Sequence, residues 1–189
     1  MARPREFDEK AAMKAVEDIF WRDGFEGTSY SDLMSATGLG KGSLYAAYGN
    51  KEALYRHALN AYIEREVGGV SHLFSDVSNP RTGKQRVGQL LDLVIAAVSE
   101  RGDRRGCFLC NAAVDLAPYD ESVEKIVLEA MGRMRTDLTS ALKDEVGEKQ
   151  CQSAAELVLS AYMGMRVMVK AGTPVEQLQL TRDAVVKSL

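Results

Sequence analysis

TSYSDLMSATGLGKGSLYAAYGNK, residues 28–51, decides how this chain is read. Ser29 and Asp32 have the spacing at which a side chain caps a helix start and is capped in return, and Leu33 and Met34 follow. The helix opened there is short and stops at Gly38. A second short helix is predicted from about Gly40 to Tyr48, and Asn50 is placed to cap a longer one beginning Lys51-Glu52-Ala53-Leu54. Two short helices joined through a glycine-containing turn form a helix-turn-helix. Leu33, Leu39 and Leu44 pack the pair against the preceding helix, whose Phe20 completes a small core with Phe25. Lys41, Ser43, Ala46 and Ala47 are left on or near the free face, around Gly42. That outer surface is basic, hydroxyl-bearing and slim, as a helix entering a major groove requires.

Outward from this motif the dominant apolar spacing is three and four, and period-two alternation is absent, so the whole chain reads as helical. Upstream, Asp8 is placed to cap a helix whose inner face is Ala12, Val16, Ile19 and Phe20 and which Gly24 stops. Downstream, the fourth helix carries Leu54, Ala58, Ala61 and Tyr62 and is expected to weaken at Gly68-Gly69. Further helices are predicted over about 82–99, within 107–117, from Asp120, and over about 151–170. Thr173-Pro174-Val175-Glu176 reads as a helix start with Thr173 as cap and proline at the first helical position. The fold class is all-α: an N-terminal helix-turn-helix domain over residues 1–50, then a helical body over 51–189 with the fourth helix as connector.

Composition sets outer bounds. The 189 residues are 46% hydrophobic and 27% charged, a globular balance that excludes wholesale disorder. The apolar runs are too short to span a bilayer, and MARPREFDEK lacks the apolar core of a signal peptide, so a cytoplasmic protein is expected. Net charge is −3, which on its own does not favour nucleic acid. Residues 1–60 hold eight Lys/Arg against nine Asp/Glu, with the acids gathered near the first helix. Lys41 lies on the free face of the second short helix, so any affinity there rests on a few placed contacts. Gly38–Ser43 superficially suggests a phosphate loop, but glycine follows Lys41 and no strand precedes it.

The first third of the chain resembles the DNA-binding domain of the TetR/AcrR family of one-component regulators. The matching residues are Gly24-Phe25, Thr28-Ser29, Asp32-Leu33, Gly38, Gly42-Ser43-Leu44-Tyr45, Tyr48 and Lys51–Leu54. The resemblance implies a homodimeric repressor that binds palindromic operator DNA and is released by a small-molecule or thiol-reactive effector. It implies phosphate contacts at Thr28, Ser29, Tyr45, Tyr48 and Lys51, and base reading at Lys41 and Ser43 with Gly42 admitting close approach. Arg3 and Arg5 form an arm able to reach a minor groove. Ala47 stands where many relatives have histidine and Gly40 where many have serine, which leaves the operator sequence open.

For the body, the resemblance implies an apolar effector cavity with Tyr62, Leu91, Val94, Cys107, Phe108, Cys110, Asn111, Met131 and Met134 as candidates. It also implies a dimer interface on the two long helices near 121–144 and 151–170, forming a four-helix bundle with the partner. Ala154 and Ala161 permit close approach there, and Val127, Met134, Leu157, Val158, Met165 and Met168 supply apolar area. The chain is expected to need no cofactor.

Cys107 and Cys110 are three residues apart and share one helix face. Small buried hydrophobes, a thiol switch aided by Arg104 and Arg105, and a metal site completed by Cys151, His57 or His72 all remain open. A helical thiol-disulfide enzyme lacks the strand-helix context of that chemistry, so a non-enzyme is expected. A protein-interaction adaptor without DNA binding is the other alternative.

Overall fold

A computed structural model describes residues 9–76, 78 and 80–189 of the chain. Arg3, Arg5 and the Asp8 cap lie outside the described residues. The elements are α1 (Glu9–Asp23), α2 (Tyr30–Thr37), α3 (Lys41–Tyr48), α4 (Lys51–Ser75), α5 (Gly83–Ser99), α6 (Phe108–Asp115), α7 (Glu121–Val146), α8 (Cys151–Ala171) and α9 (Val175–Ser188). Among the described residues there is no strand.

The helix boundaries follow local chemistry. The Ser29 hydroxyl accepts the Asp32 N–H at 3.2 Å, and the Asp32 carboxylate accepts the Ser29 N–H at 2.8 Å, closing the capping box of α2. Gly38 ends α2 in the left-handed region at φ 68°. Asn50 caps α4 through the Ala53 N–H at 2.9 Å. Thr82 and Gln85 form a second capping box at α5.

Two expectations need correction. α4 does not weaken at Gly68-Gly69 but continues to Ser75, because Val67, Val70 and Phe74 stay buried on its inner stripe. That packing outweighs the roughly 1 kcal/mol each glycine costs a helix. At the last helix the start is one residue later than expected. Pro174 itself is the cap, at ψ 146°, and no side chain caps the α9 N-terminus.

Leu33, Leu44 and Phe20 are fully buried with Phe25, and Leu39 is half-buried beside them. This small core runs on into the body through an aromatic chain. Tyr55 of α4 packs edge-on against Phe20 at 5.0 Å, Phe25 at 5.5 Å and Phe108 of α6 at 5.2 Å. Tyr62 then meets Phe108 at 5.7 Å and Trp21 at 4.9 Å. α4 is therefore buried against both α1 and α7, and the reader and the body share one core. The antiparallel pair α7–α8 is the most extensive helix contact of the body, with α5 and α9 packed across it.

Polar contacts tie α1 and the α1–α2 turn to the body. Asp115 of α6 accepts the Phe25 N–H at 2.7 Å, and Gly24 makes room, since a Cβ there would lie 2.9 Å from that carboxylate. Asn111 donates to the Trp21 carbonyl at 3.2 Å. Arg65 of α4 clasps Glu17 of α1, and Arg105 reaches Asp18 at 2.8 Å.

Candidate nucleic-acid interface and effector region

α3 presents the outward surface foreseen from its sequence. Lys41, Gly42, Ser43, Tyr45, Ala46 and Ala47 are exposed, whereas Leu44 is buried. Gly40 caps α3 without any side-chain hydrogen bond, and a Cβ on Gly40 or Gly42 would meet nothing within 4 Å. The protein's own packing demands neither glycine, so the slimness at the α3 N-terminus faces outward. Ser29 is exposed at the head of α2, its hydroxyl paired with Asp32 at 2.6 Å.

Tyr30, which sequence reading passed over, belongs to this surface. Its ring stacks on Tyr45 at 5.6 Å, and the Lys41 ammonium sits 4.6 Å from the Tyr30 centroid and 5.9 Å from that of Tyr45. Burial first, and then Tyr45, push the Tyr30 hydroxyl up to about 12. The three side chains hold the α2 and α3 N-terminal ends together. Lys51 is half-buried with its ammonium 4.3 Å from the Phe25 centroid, which fixes its stem at the start of α4.

Two expected phosphate contacts are withdrawn by burial. Thr28 is 1% exposed and its hydroxyl donates to the Gly24 carbonyl at 2.7 Å, so it locks the α1–α2 turn instead. The Tyr48 hydroxyl is buried and makes no hydrogen bond among the described residues, with its ring edge-on to His57 at 5.9 Å. Sequence spacing could not separate Tyr45 from Tyr48, because both follow Leu44 on the helix; their burial does.

In the body the expected cavity residues divide. Leu91, Val94 and Phe108 are fully buried core. Tyr62, Cys107 and Met134 border a hollow of only about 10 Å³, too small for an effector and about the size of one water. Cys110 and Asn111 line an open cleft of about 630 Å³ with Val114, Tyr119 and Val167. Asn111 spends its amide on the Trp21 and Arg105 carbonyls at 3.2 and 3.4 Å. Met131 is half-buried and borders none of these hollows.

Cys107 and Cys110 are both buried. A hydrogen bond from Cys110, the Arg166 guanidinium and the Tyr62 hydroxyl, 3.4 Å from the sulfur, together outweigh burial. They pull the Cys107 thiol down to about 6, while Cys110 is driven up and keeps its proton. Arg166 came from outside the sequence reading, although a lone arginine inside the apolar run 157–169 was its signal. Cys151 stands apart at the α8 start, its sulfur on the Glu148 carbonyl at 3.3 Å. No group of three His, Cys, Asp or Glu converges among the described residues.

The expected dimer residues also divide. Val127, Met134, Val158 and Met165 are at most 4% exposed and are core of the single chain. For Val158 and Met165 the reason for the difference is that α8 is apolar on two sides and the sequence does not say which side meets α7. Leu157 is 47% exposed, and Ala154, Ala161 and Met168 are half-buried. The free face also carries Leu128, Val167 and Gly164, the last with open space around its Cβ position.

Comparison with known proteins now adds to this geometry. Residues 12–58 match the model for bacterial regulatory proteins of the tetR family, and residues 83–185 match the tetracyclin repressor-like C-terminal domain. The chain belongs to the TetR family. It is 26% identical over 182 residues to the HTH-type transcriptional repressor ComR of Escherichia coli K12, covering 93% of this chain and 86% of that protein. BdcR of the same organism, also a transcriptional repressor, is 23% identical over 180 residues, 95% and 87% of the two chains. Among solved structures, a cysteine mutant of the TetR regulator CifR in complex with 26-bp operator DNA superposes with a TM-score of 0.84. It is 26% identical and 98% of each chain is covered. Reduced E. coli NemR shares the fold at 18% identity and TM-score 0.76, over 93% of each chain. The TetR relatives are helix-turn-helix transcriptional regulators rather than enzymes. No helix of the described residues is long and apolar enough to cross a membrane.

Proposed function

We propose that the protein is a homodimeric repressor whose α3 enters the major groove of a palindromic operator and which an effector releases. The observation that carries this reading is the outward face of α3: Lys41, Ser43 and Tyr45 are exposed on a helix whose Gly40 and Gly42 have open space at the Cβ position among the described residues. Lys41 and Ser43 read base edges, and Ser29, Tyr45 and Lys51 hold phosphates on either side. A single such helix reads only a few base pairs, so two copies about 34–36 Å apart are required. The exposed face of α7 and α8 around Leu128, Leu157, Ala161 and Gly164 supplies the pairing surface. Effector binding in the body shifts α4, which packs on α1 and α7 at once, and changes the spacing of the two α3 helices.

Selection from a random duplex library at physiological salt tests this reading. A recovered palindrome bound by a dimer is the expected result. An unenriched library from folded, dimeric protein rejects it in favour of an adaptor.

The lowered Cys107 thiol favours a thiol-reactive effector as the second reading. Release of the selected duplex by diamide, lost in Cys107→Ser, is its test.

A further inference from the structure

A cleft of about 430 Å³ opens where α1, α4, α5 and α8 meet beneath the α5–α6 loop. Its volume lies within the roughly 300–1,000 Å³ of small-molecule sites. Its apolar lining is Trp21, Val70, Leu73, Leu90, Leu93 and Ala97. Its charged lining is Arg65, Arg101, Arg105, Arg166 and Lys14, with the carboxylates of Glu66 and Asp103.

Arg166 is the decisive group. Its side chain is 12% exposed, and its nearest carboxylate, Glu66, is 4.0 Å away, at the limit of an ion pair. Nε and Nη2 both donate to the single Tyr162 hydroxyl oxygen, at 3.2 and 2.9 Å. The two N–H groups of Nη1 therefore have no acceptor among the described residues. These Nη1 donors are not closed off from solvent, so they are free to take up an anion that enters the cleft. Cys107 supplies negative charge to Arg166 when ionised but does not line the cleft. The Nε1–H of Trp21, which also lines the cleft, is a buried donor with no acceptor among the described residues.

Two of the cleft's arginines are at the same time the pins that hold α1. Arg65 grips Glu17 at 2.8 Å through both terminal nitrogens. Arg105 spans Asp18 and Asp103 at 2.8 Å each and stacks 3.8 Å from the Trp21 ring. An anion seated in the cleft competes with Glu17 and Asp18 for these guanidiniums.

We propose that this cleft binds a small organic carboxylate with an apolar body, its charge on Arg166 and its body on the Trp21–Leu90 lining, and that binding loosens α1 from α4 and the α5–α6 loop. This rests on the reading of α1 as part of the DNA-binding unit and names the effector class and the site. A bare inorganic anion would leave the apolar lining uncovered, and a neutral ligand would leave the Nη1 donors of Arg166 without a charged acceptor.

Trp21 is the only tryptophan of the chain, so its fluorescence reports the cleft directly and without DNA. The full chain is titrated with octanoate and phenylacetate, and with octanamide and inorganic phosphate as controls. Expected is a saturable response to at least one carboxylate, at least ten-fold tighter than to octanamide or phosphate. Gly69 lines the cleft and a Cβ there meets nothing within 4 Å, so Gly69→Leu fills the cleft without disturbing the fold. That variant should keep its melting temperature and lose at least ten-fold in carboxylate affinity, and Arg166→Gln should erase the preference over octanamide. No response to either carboxylate, equal response to octanamide or phosphate, or an unchanged response in a folded Gly69→Leu overturns the site. With a duplex the protein selects, the bound carboxylate should weaken DNA affinity about ten-fold, and binding that leaves it unchanged overturns the coupling. Failure of DNA selection leaves the fluorescence result standing, so the two proposals fail separately.

Discussion

Arg65 on α4 and Glu17 on α1 form a two-point ion pair, 2.8 Å at each contact, in which the Glu17 side chain is buried and the Arg65 side chain is 44% exposed. Lys14 adds a third contact to the same carboxylate at 2.9 Å. Glu17 is thus the anchor and Arg65 the movable partner, because only Arg65 keeps solvent as an alternative. Removing Arg65 strands a buried carboxylate with one lysine. Arg65→Ala should destabilise the protein by about 1–3 kcal/mol, less than the roughly 3–5 kcal/mol of a fully buried pair because Arg65 is half exposed and Lys14 remains. Urea unfolding of Arg65→Ala, Glu17→Gln and the double variant measures the coupling, and additive effects of the two substitutions would refute the pair's role.

The exposed and buried members of the DNA-facing set should separate in binding assays. Lys51→Ala should weaken all duplexes alike and reduce the salt slope by about one. Lys41→Ala and Ser43→Ala should change which bases are preferred. Tyr45→Phe removes an exposed hydroxyl and should cost DNA affinity, whereas Tyr48→Phe removes a buried one, unpaired among the described residues, and should not. Thr28→Val should lower stability by about 1 kcal/mol through the lost bond to Gly24, with DNA affinity reduced only as far as the fold is. Fluorescence polarisation on the selected duplex, with a parallel melting series, distinguishes these outcomes.

Cys107 imposes a pH dependence whose sign follows from its environment. Its folded value lies near 6 against an ordinary 9.0, held there by the Cys110 hydrogen bond, Arg166 and Tyr62 against burial. The folded state therefore favours the thiolate more than the unfolded chain does. The resulting stabilisation is complete above about pH 9 and is lost as pH falls through about 6. Urea midpoints measured at pH 6, 7, 8 and 9 should rise with pH in the natural protein and flatten in Cys107→Ser. An identical pH profile in that variant would show that the thiol does not ionise in the folded state.

The local parts of this fold were legible because single residues dictate them. Ser29 and Asp32 cap α2, Asn50 caps α4, Gly38 ends a helix, and Leu33 and Leu44 turn inward at helical spacing. What stayed hidden depends on which of two equivalent faces meets a neighbour. Thr28 and Ser29 are adjacent hydroxyls at a helix start, yet one bonds inward to Gly24 and the other caps α2 from the surface. Tyr45 and Tyr48 differ in the same way. The pairing of Glu17 with Arg65, forty-eight positions away, is set by how α1 lies on α4, and no local pattern encodes that crossing. Arg166 was findable as a charge within an apolar run, but its role needed Tyr162, Glu66 and the cleft around it.

Dimerisation should divide the long-helix residues by the burial seen in one chain. Met165 and Val158 are 0% exposed, so truncation there leaves a cavity in the protomer and should cost about 2–5 kcal/mol for Met165→Ala. The dimer should persist wherever that variant still folds. Leu157 is 47% exposed on the outer face of α8, with Ala161 and Gly164 one and two turns on. In the proposed pairing of the α7–α8 faces, a charge at 157 would be buried unpaired in the seam. Leu157→Glu should therefore leave the thermal stability of the isolated chain nearly unchanged and shift its solution mass from twice the 20.7 kDa chain value to once. Operator affinity should fall with it, because each half-site would then be bound alone. Light scattering coupled to size exclusion reads both variants. A dimeric Leu157→Glu, or a folded but monomeric Met165→Ala, would move the interface off this face of α8.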